Sequence, residues 1–167
     1  MVAALMGAAA FFPQRISAAD GFRGEKTLGI LAGYDTYNKE PLAGVEFTYR
    51  FSRLLRLAPK VTYVFRNAGH DALKFNVDVD LMFPLANNRC AVYPFAGFNY
   101  SSWNYHPAVP GVNTDDVSTR VSRAGLNVGA GFDVNITGSL RLSLQGCYTF
   151  IKEFHGADIS AGIHYRF

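Results

Sequence analysis

Residues 42–52 read LAGVEFTYRFS, in which Ala43, Val45, Phe47, Tyr49 and Phe51 interleave with Gly44, Glu46, Thr48, Arg50 and Ser52. A side-chain period of two is the period of a β-strand, so this segment carries one apolar and one polar face. The pattern recurs eight times from residue 25 onward. Eight half-apolar strands in one chain leave few architectures open, because each needs a cover for its apolar face and a partner for both backbone edges.

The first segment, 26–35, sets Leu28, Ile30, Ala32 and Tyr34 against Gly29, Leu31, Gly33 and Asp35. The third sets Leu55, Leu57, Val61, Tyr63 and Phe65 against Arg56, Lys60, Thr62 and Arg66. In the fourth, Leu73, Phe75, Val77, Val79, Leu81 and Phe83 alternate with Lys74, Asn76, Asp78, Asp80 and Met82. The fifth, CAVYPFAGFNYSSWNY, has aromatics in both registers, and Val92, Pro94, Ala96, Phe98 and Tyr100 are assigned to its apolar face. The sixth turns Ala124, Leu126, Val128, Ala130, Phe132, Val134 and Ile136 away from Gly125, Asn127, Gly129, Gly131, Asp133 and Asn135. A seventh runs from Leu140 to Lys152, and the eighth ends the chain as SAGIHYRF.

Connections after the second, fourth and sixth segments are short, at 52–54, 85–89 and 137–139, whereas the others are on balance longer and more polar. Tight turns on one rim and loops on the other make an antiparallel up-and-down meander. Pro59 and Pro94 oppose this reading, since each removes a ladder donor inside a strand, but both lie near the turn rim, where irregularity is tolerated.

The 167 residues suit one domain after a leader. VAALMGAAAFF followed by small residues before Asp20 reads as a signal peptide over 1–19, though without the usual preceding positive charge. Residues 20–167 then form the barrel. A net charge of +3 with no block of like charges excludes a nucleic-acid role, and no later stretch has the roughly 18 apolar residues of a spanning helix.

Alternation does not say which face meets water. An eight-stranded barrel has an interior just wide enough for side chains to fill, and the apolar face delivers about five residues per strand, many of them Phe, Tyr or Leu. That volume does not fit inside, so the apolar face points outward. The inner face then carries Gly, Ser, Thr, Asn and charges of both signs. Each strand has about the 9–11 residues that cross a bilayer at a tilt, and closure satisfies the backbone in lipid. Tyr34, Tyr49, Phe51, Phe65, Phe83, Tyr148, Tyr165 and Phe167 become interfacial girdles.

Eight amphipathic strands after a leader, alternating turns and loops, and the terminal IHYRF resemble the small outer-membrane barrels related to the outer-membrane protein A transmembrane domain. The resemblance spans about residues 25–167 and implies an all-β, eight-stranded antiparallel transmembrane barrel in a Gram-negative outer membrane. It also implies that Ile163, Tyr165 and Phe167, with Ala161 upstream, form the C-terminal signal read by the barrel assembly machinery. The implied role is structural, membrane-integrity or surface interaction through the extracellular loops. The implied partners are outer-membrane lipids, lipopolysaccharide and host or environmental ligands. A narrow porin-like channel and a secreted soluble ligand-binding barrel stand as alternatives.

Lumenal charges must be hydrogen-bonded or paired, so Glu46, Arg50, Arg56, Lys60, Lys74, Asp78, Asp80, Asp133, Arg141 and Arg166, with Arg66, are expected either to form a closed network or to line a water-filled interior. Cys147 is placed in the lumen and Cys90 near the turn rim, too far apart for a disulfide. Of the glycine-rich GAGFDV, 129–134, only room in the lumen is expected, since no helix follows it. His70, His106 and His155 fall in three long loops beside Asp71 or Asp158. Solvated loop histidines are expected there, with a zinc or copper site the minor alternative, and no cofactor is assigned. His155, Asp158 and Ser160 lack the spacing of lipid A-modifying enzymes, so no catalytic residue is assigned. Lys39, Arg66, Arg120, Arg123 and Lys152 are candidate contacts to lipid phosphates and equally ordinary interfacial anchors.

Overall fold

A computed structural model describes residues 24–36, 39–65, 70–85, 89–105, 119–151 and 155–167. The leader expected over 1–19 lies outside the described residues, as do Arg66, His106 and Lys152. The described residues form β1 (Lys26–Asp35), β2 (Glu40–Arg50), β3 (Leu55–Val64), β4 (His70–Leu81), β5 (Phe83–Leu85), β6 (Cys90–Tyr105), β7 (Thr119–Asn135), β8 (Leu140–Ile151) and β9 (Gly156–Arg166). Each pairs antiparallel with its chain neighbours, except that β4 and β5 share β6 as partner and so form one interrupted stave. β1 pairs with β9 from Thr27↔Arg166 to Asp35↔Asp158, which closes eight staves into a barrel. Closure leaves β9 no open edge: its ladder with β1 runs to Thr27↔Arg166, and Phe167 N donates to Lys26 O at 3.1 Å.

The two prolines mark the breaks in the ladder. Between β2 and β3 the register passes from Glu46↔Lys60 to Tyr49↔Leu57, and the two missing pairs lie opposite Ala58 and Pro59. Between Asp80↔Phe95 and Phe83↔Val92 the missing pairs include Pro94, and here the stave splits into β4 and β5. Met82 at the break donates its N–H to Leu54 O at 2.7 Å instead. Proline has no N–H for the ladder, so within a sheet it sits at such interruptions.

Two of the tight turns share one device. Ser52 Oγ accepts from the N–H groups of Leu54 and Leu55 at 3.2 and 3.1 Å, and Thr137 Oγ1 accepts from those of Ser139 and Leu140 at 3.3 and 3.0 Å. A hydroxyl at the first position of each turn thus satisfies the donors the reversal exposes.

The outer surface carries the apolar register all the way round, with Ile30, Leu126, Leu144 and Ile159 each more than half exposed to the surroundings. Every residue assigned from the alternation to the apolar face of β6 faces out as well: Val92, Pro94, Ala96, Phe98 and Tyr100 are all exposed. Phe51, Phe83, Tyr165 and Phe167 ring the turn rim, and Tyr34, Phe65 and Tyr148 ring the other. Rings stack edge-on within these belts, as in Tyr148–Phe150 and Tyr63–Phe65.

Two expectations need correction. His70 begins β4 rather than lying in a loop, its backbone pairing with Tyr105. The interior is also less dominated by small residues than the alternation implies. Tyr93, Phe95 and Trp103 on β6 all point inward and are buried, with Leu31, Leu42, Val64, Met82 and Ile151. Aromatics in both registers of β6 belong to both faces.

Candidate functional site

The barrel interior is a stack of polar layers. At the turn-side mouth Glu25, just before β1, faces three arginines: Arg166 Nε at 3.2 Å, Arg141 Nη1 at 3.4 Å and Arg50 Nη1 at 4.0 Å. Arg141 Nη2 also donates to Thr27 Oγ1 at 2.9 Å and Thr48 Oγ1 at 3.3 Å, and Arg166 Nη2 donates to Asn135 Oδ1 at 2.9 Å. Glu25 was not among the residues expected in the network. The register that turns Thr27 and Gly29 inward, extended back one step, reaches it.

Above the mouth Arg56 is 1% exposed, its Nε donating to Asp80 Oδ2 and its Nη1 to Asp133 Oδ2, each at 2.6 Å. Its guanidinium lies 4.4 Å from the Tyr93 ring centroid. Asp80 is its register partner on β4, whereas Asp133 reaches it across the lumen from β7. The planar fork of arginine serves two carboxylates at once and stacks on an aromatic face, a combination lysine lacks.

In the next layer Lys60 Nζ meets Asp78 Oδ2 at 2.9 Å and donates to Gln145 Oε1 at 3.2 Å, 5.0 Å from the Phe95 ring centroid. Gln145 Nε2 donates to Glu46 Oε1 at 3.1 Å, and His164 Nε2 lies 2.8 Å from Ser143 Oγ and 3.5 Å from Glu46 Oε2. Lys60 and Glu46 are direct cross-strand partners, yet the lysine reaches across to β4 and β8.

An uncharged layer follows. Asn99 Nδ2 donates to Asn76 Oδ1, which also accepts from Asn127 Nδ2 at 2.9 Å, while Thr149 Oγ1 donates to Asn127 Oδ1 at 3.0 Å. Nearest the loop rim, Lys74 Nζ meets Asp35 Oδ2 at 2.8 Å and Asp158 Oδ2 at 3.9 Å, 5.7 Å from the Trp103 ring centroid. Leu42, Val64, Ala72 and Trp103 pack together there.

Glycines supply the room for the rings. A Cβ on Gly131 would lie 2.3 Å from the Tyr93 ring, and one on Gly129 would lie 2.4 Å from that of Phe95. These are direct register pairs across β6 and β7, so each ring occupies the space that a side chain at the paired glycine would need. The glycine-rich 129–134 is thus the floor for two lumenal aromatics.

Cys147 is buried in the lumen and Cys90 is half-buried on the outward register of Val92; both are free thiols. Their register partners on β7, Gly129 and Val134, stand apart along the strand. His155 is exposed and its ring stacks against Tyr148, whereas Ser160 is buried inside and Asp158 meets Lys74. The wall therefore separates the histidine from the serine. His106 and the side chain of His70 lie outside the described residues, and among the described residues no three His, Cys, Asp or Glu side chains are grouped to hold a metal. Lys39 and Arg120 are exposed and Arg123 is half-buried.

The soluble alternative requires the apolar face inside and the charges outside; this barrel has them reversed. The family model described as outer membrane protein beta-barrel domain matches residues 5–167. No curated protein matches the sequence. Among solved structures, the N-terminal barrel domain of OprF from Pseudomonas aeruginosa is 14% identical, with 87% of this chain and 98% of that one covered at a TM-score of 0.73. Ail, the attachment invasion locus protein of Yersinia pestis, is 17% identical over 87% of this chain and 99% of its own, TM-score 0.64. The Neisserial surface protein A is 15% identical over 86% and 95%, TM-score 0.64. Identities this low speak for the shared barrel alone. The family match over nearly the whole length does more: this chain belongs to the outer membrane protein β-barrel domain family and is a protein of the outer membrane.

Proposed function

We propose that the protein is a plugged, non-enzymatic barrel that anchors its loops at the cell surface, with a structural or surface-interaction role. The observation that carries this reading is the closed stack of ion pairs and rings across the lumen, in which Arg56 and Tyr93 are each 1% exposed. Passage of a solute requires at least one such layer to come apart. A cavity of about 10 Å³ beside Arg50, Arg141 and Arg166 has room for about one water.

The loop-bearing rim is one surface open to partners outside the cell. Ail has been solved in complex with the heparin analogue sucrose octasulfate, which supports a search for host or environmental ligands of this barrel as well. At the other end, Ile163, Tyr165 and Phe167 lie exposed on the outer face of β9, a strip open to reading by the barrel assembly machinery. Single-channel recording in planar bilayers tests the plug. Silence at applied voltage is expected, and reproducible conductance steps would replace this reading with the narrow porin-like channel.

A further inference from the structure

We infer that the outer wall below the β6–β7 rim holds the phosphorylated sugar head group of an outer-leaflet glycolipid. Between the rims the outward register is apolar, but here it turns polar in two successive rows, across β4, β6 and β7 in the first and on β6 and β7 in the second. Asp71, Asn104 and Arg120 are register partners in one row, and Leu73, Ser102 and Ser122 in the next. The side chains are joined: Asn104 Nδ2 donates to Asp71 Oδ2 at 3.0 Å, Arg120 Nε donates to Asn104 Oδ1 at 3.1 Å, and Ser122 Oγ donates to Ser102 Oγ at 3.2 Å. With Tyr63 and Tyr100 on its flanks they line a groove of about 370 Å³. That volume falls within the ~300–1,000 Å³ of small-ligand sites.

Depth along the wall selects the occupant. β6 and β7, at 16 and 17 residues, are the longest strands among the described residues. Counted from the turn rim, the roughly 9–11 residues that cross a bilayer bring them to about Tyr100 and Ala124, which are register partners. The polar rows begin one step beyond, at the level of the lipid head groups. A groove opening sideways at that level meets the membrane's own lipids first.

Its chemistry selects a sugar that carries phosphate. Hydroxyls, an amide and a carboxylate beside tyrosine rings suit saccharide hydroxyls and ring faces, whereas Asp71 repels a bare anion. Arg120 is exposed and uses Nε on Asn104, which leaves a guanidinium edge for a phosphate. This site rests on the membrane reading but not on the plugged lumen.

The test uses the full chain in phosphatidylcholine nanodiscs doped with lipid A, phosphatidylglycerol or a neutral digalactosyl lipid, with retained lipids counted by native mass spectrometry. Lipid A is expected to be retained over both others. Arg120→Gln should lower that retention roughly tenfold, as for one charge-assisted hydrogen bond. Ser122→Val should lower it about threefold while Arg53→Gln, at the opposite rim, leaves it unchanged. Should Arg120→Gln fold poorly, the exposed Ser122→Val carries the test. Equal retention of phosphatidylglycerol, or retention unchanged by Ser122→Val in an inserted barrel, overturns the site. A chain that does not insert, and shows no heat-modifiable gel shift, overturns the membrane reading instead.

Discussion

Replacing Arg56 by methionine probes the lumen most directly. Arg56 holds two carboxylates at 2.6 Å each, and the side chains of Asp80 and Asp133 are both 3% exposed. Methionine keeps the volume and the contact with Tyr93 but strands the charges. Asp133 retains Arg141 Nε at 3.5 Å, so the loss falls mainly on Asp80. Removing one partner of a buried pair costs about 3–5 kcal/mol, because the remaining charge stays desolvated. With a urea slope of ~2 kcal/mol per molar, the unfolding midpoint should fall by roughly 2 M. Trp103, the single tryptophan, is buried inside the barrel and gives the fluorescence readout. Adding Asp80→Asn and Asp133→Asn to Arg56→Met removes the stranded charges and should recover most of the loss. Arg56→Lys should fall between, since an ammonium lacks the two-pronged reach. A midpoint for Arg56→Met equal to that of the parent would refute the closed ion-pair layer.

Gly131→Ala drives a methyl into the Tyr93 ring and should cost about 1–3 kcal/mol, whereas Gly146→Ala, with nothing within 4 Å, should stay within about 0.5 kcal/mol; equal urea midpoints would contradict the ring-on-glycine packing. Leu144 is 53% exposed midway along β8, so Leu144→Arg should cost about 2–4 kcal/mol in a bilayer. No loss there would mean that this face does not meet lipid. Deleting Phe167 removes one terminal hydrogen bond and should cost the refolded barrel only about 1 kcal/mol, yet sharply lower the folded fraction in the outer membrane of cells. Unchanged assembly on a heat-modifiability gel would remove the terminal aromatic from the assembly signal.

Strand existence, order and facing were legible because a period-two pattern is local: Val45 or Leu126 declares its face from its immediate neighbours. Even in β6 the alternation of Val92, Ala96 and Phe98 gives the outward face. What escaped was the second use of its aromatics. Tyr93, Phe95 and Trp103 read as out-of-place apolar residues until Gly129 and Gly131 on the next strand are seen to leave room for two of them. Glu25 escaped because it precedes the first alternating segment, although it joins three arginines at the mouth.

Local alternation is enough to define eight amphipathic staves and, through the volume of the apolar face, the side that meets lipid. Only the closed structure decided which charge meets which. Arg56 on β3 bridges to Asp133 on β7, and Lys74 on β4 reaches Asp35 on β1. Facing is set by a strand's own alternation, but pairing is set by curvature, which brings strands distant in sequence within reach of a long side chain in a desolvated interior where each charge must find a partner.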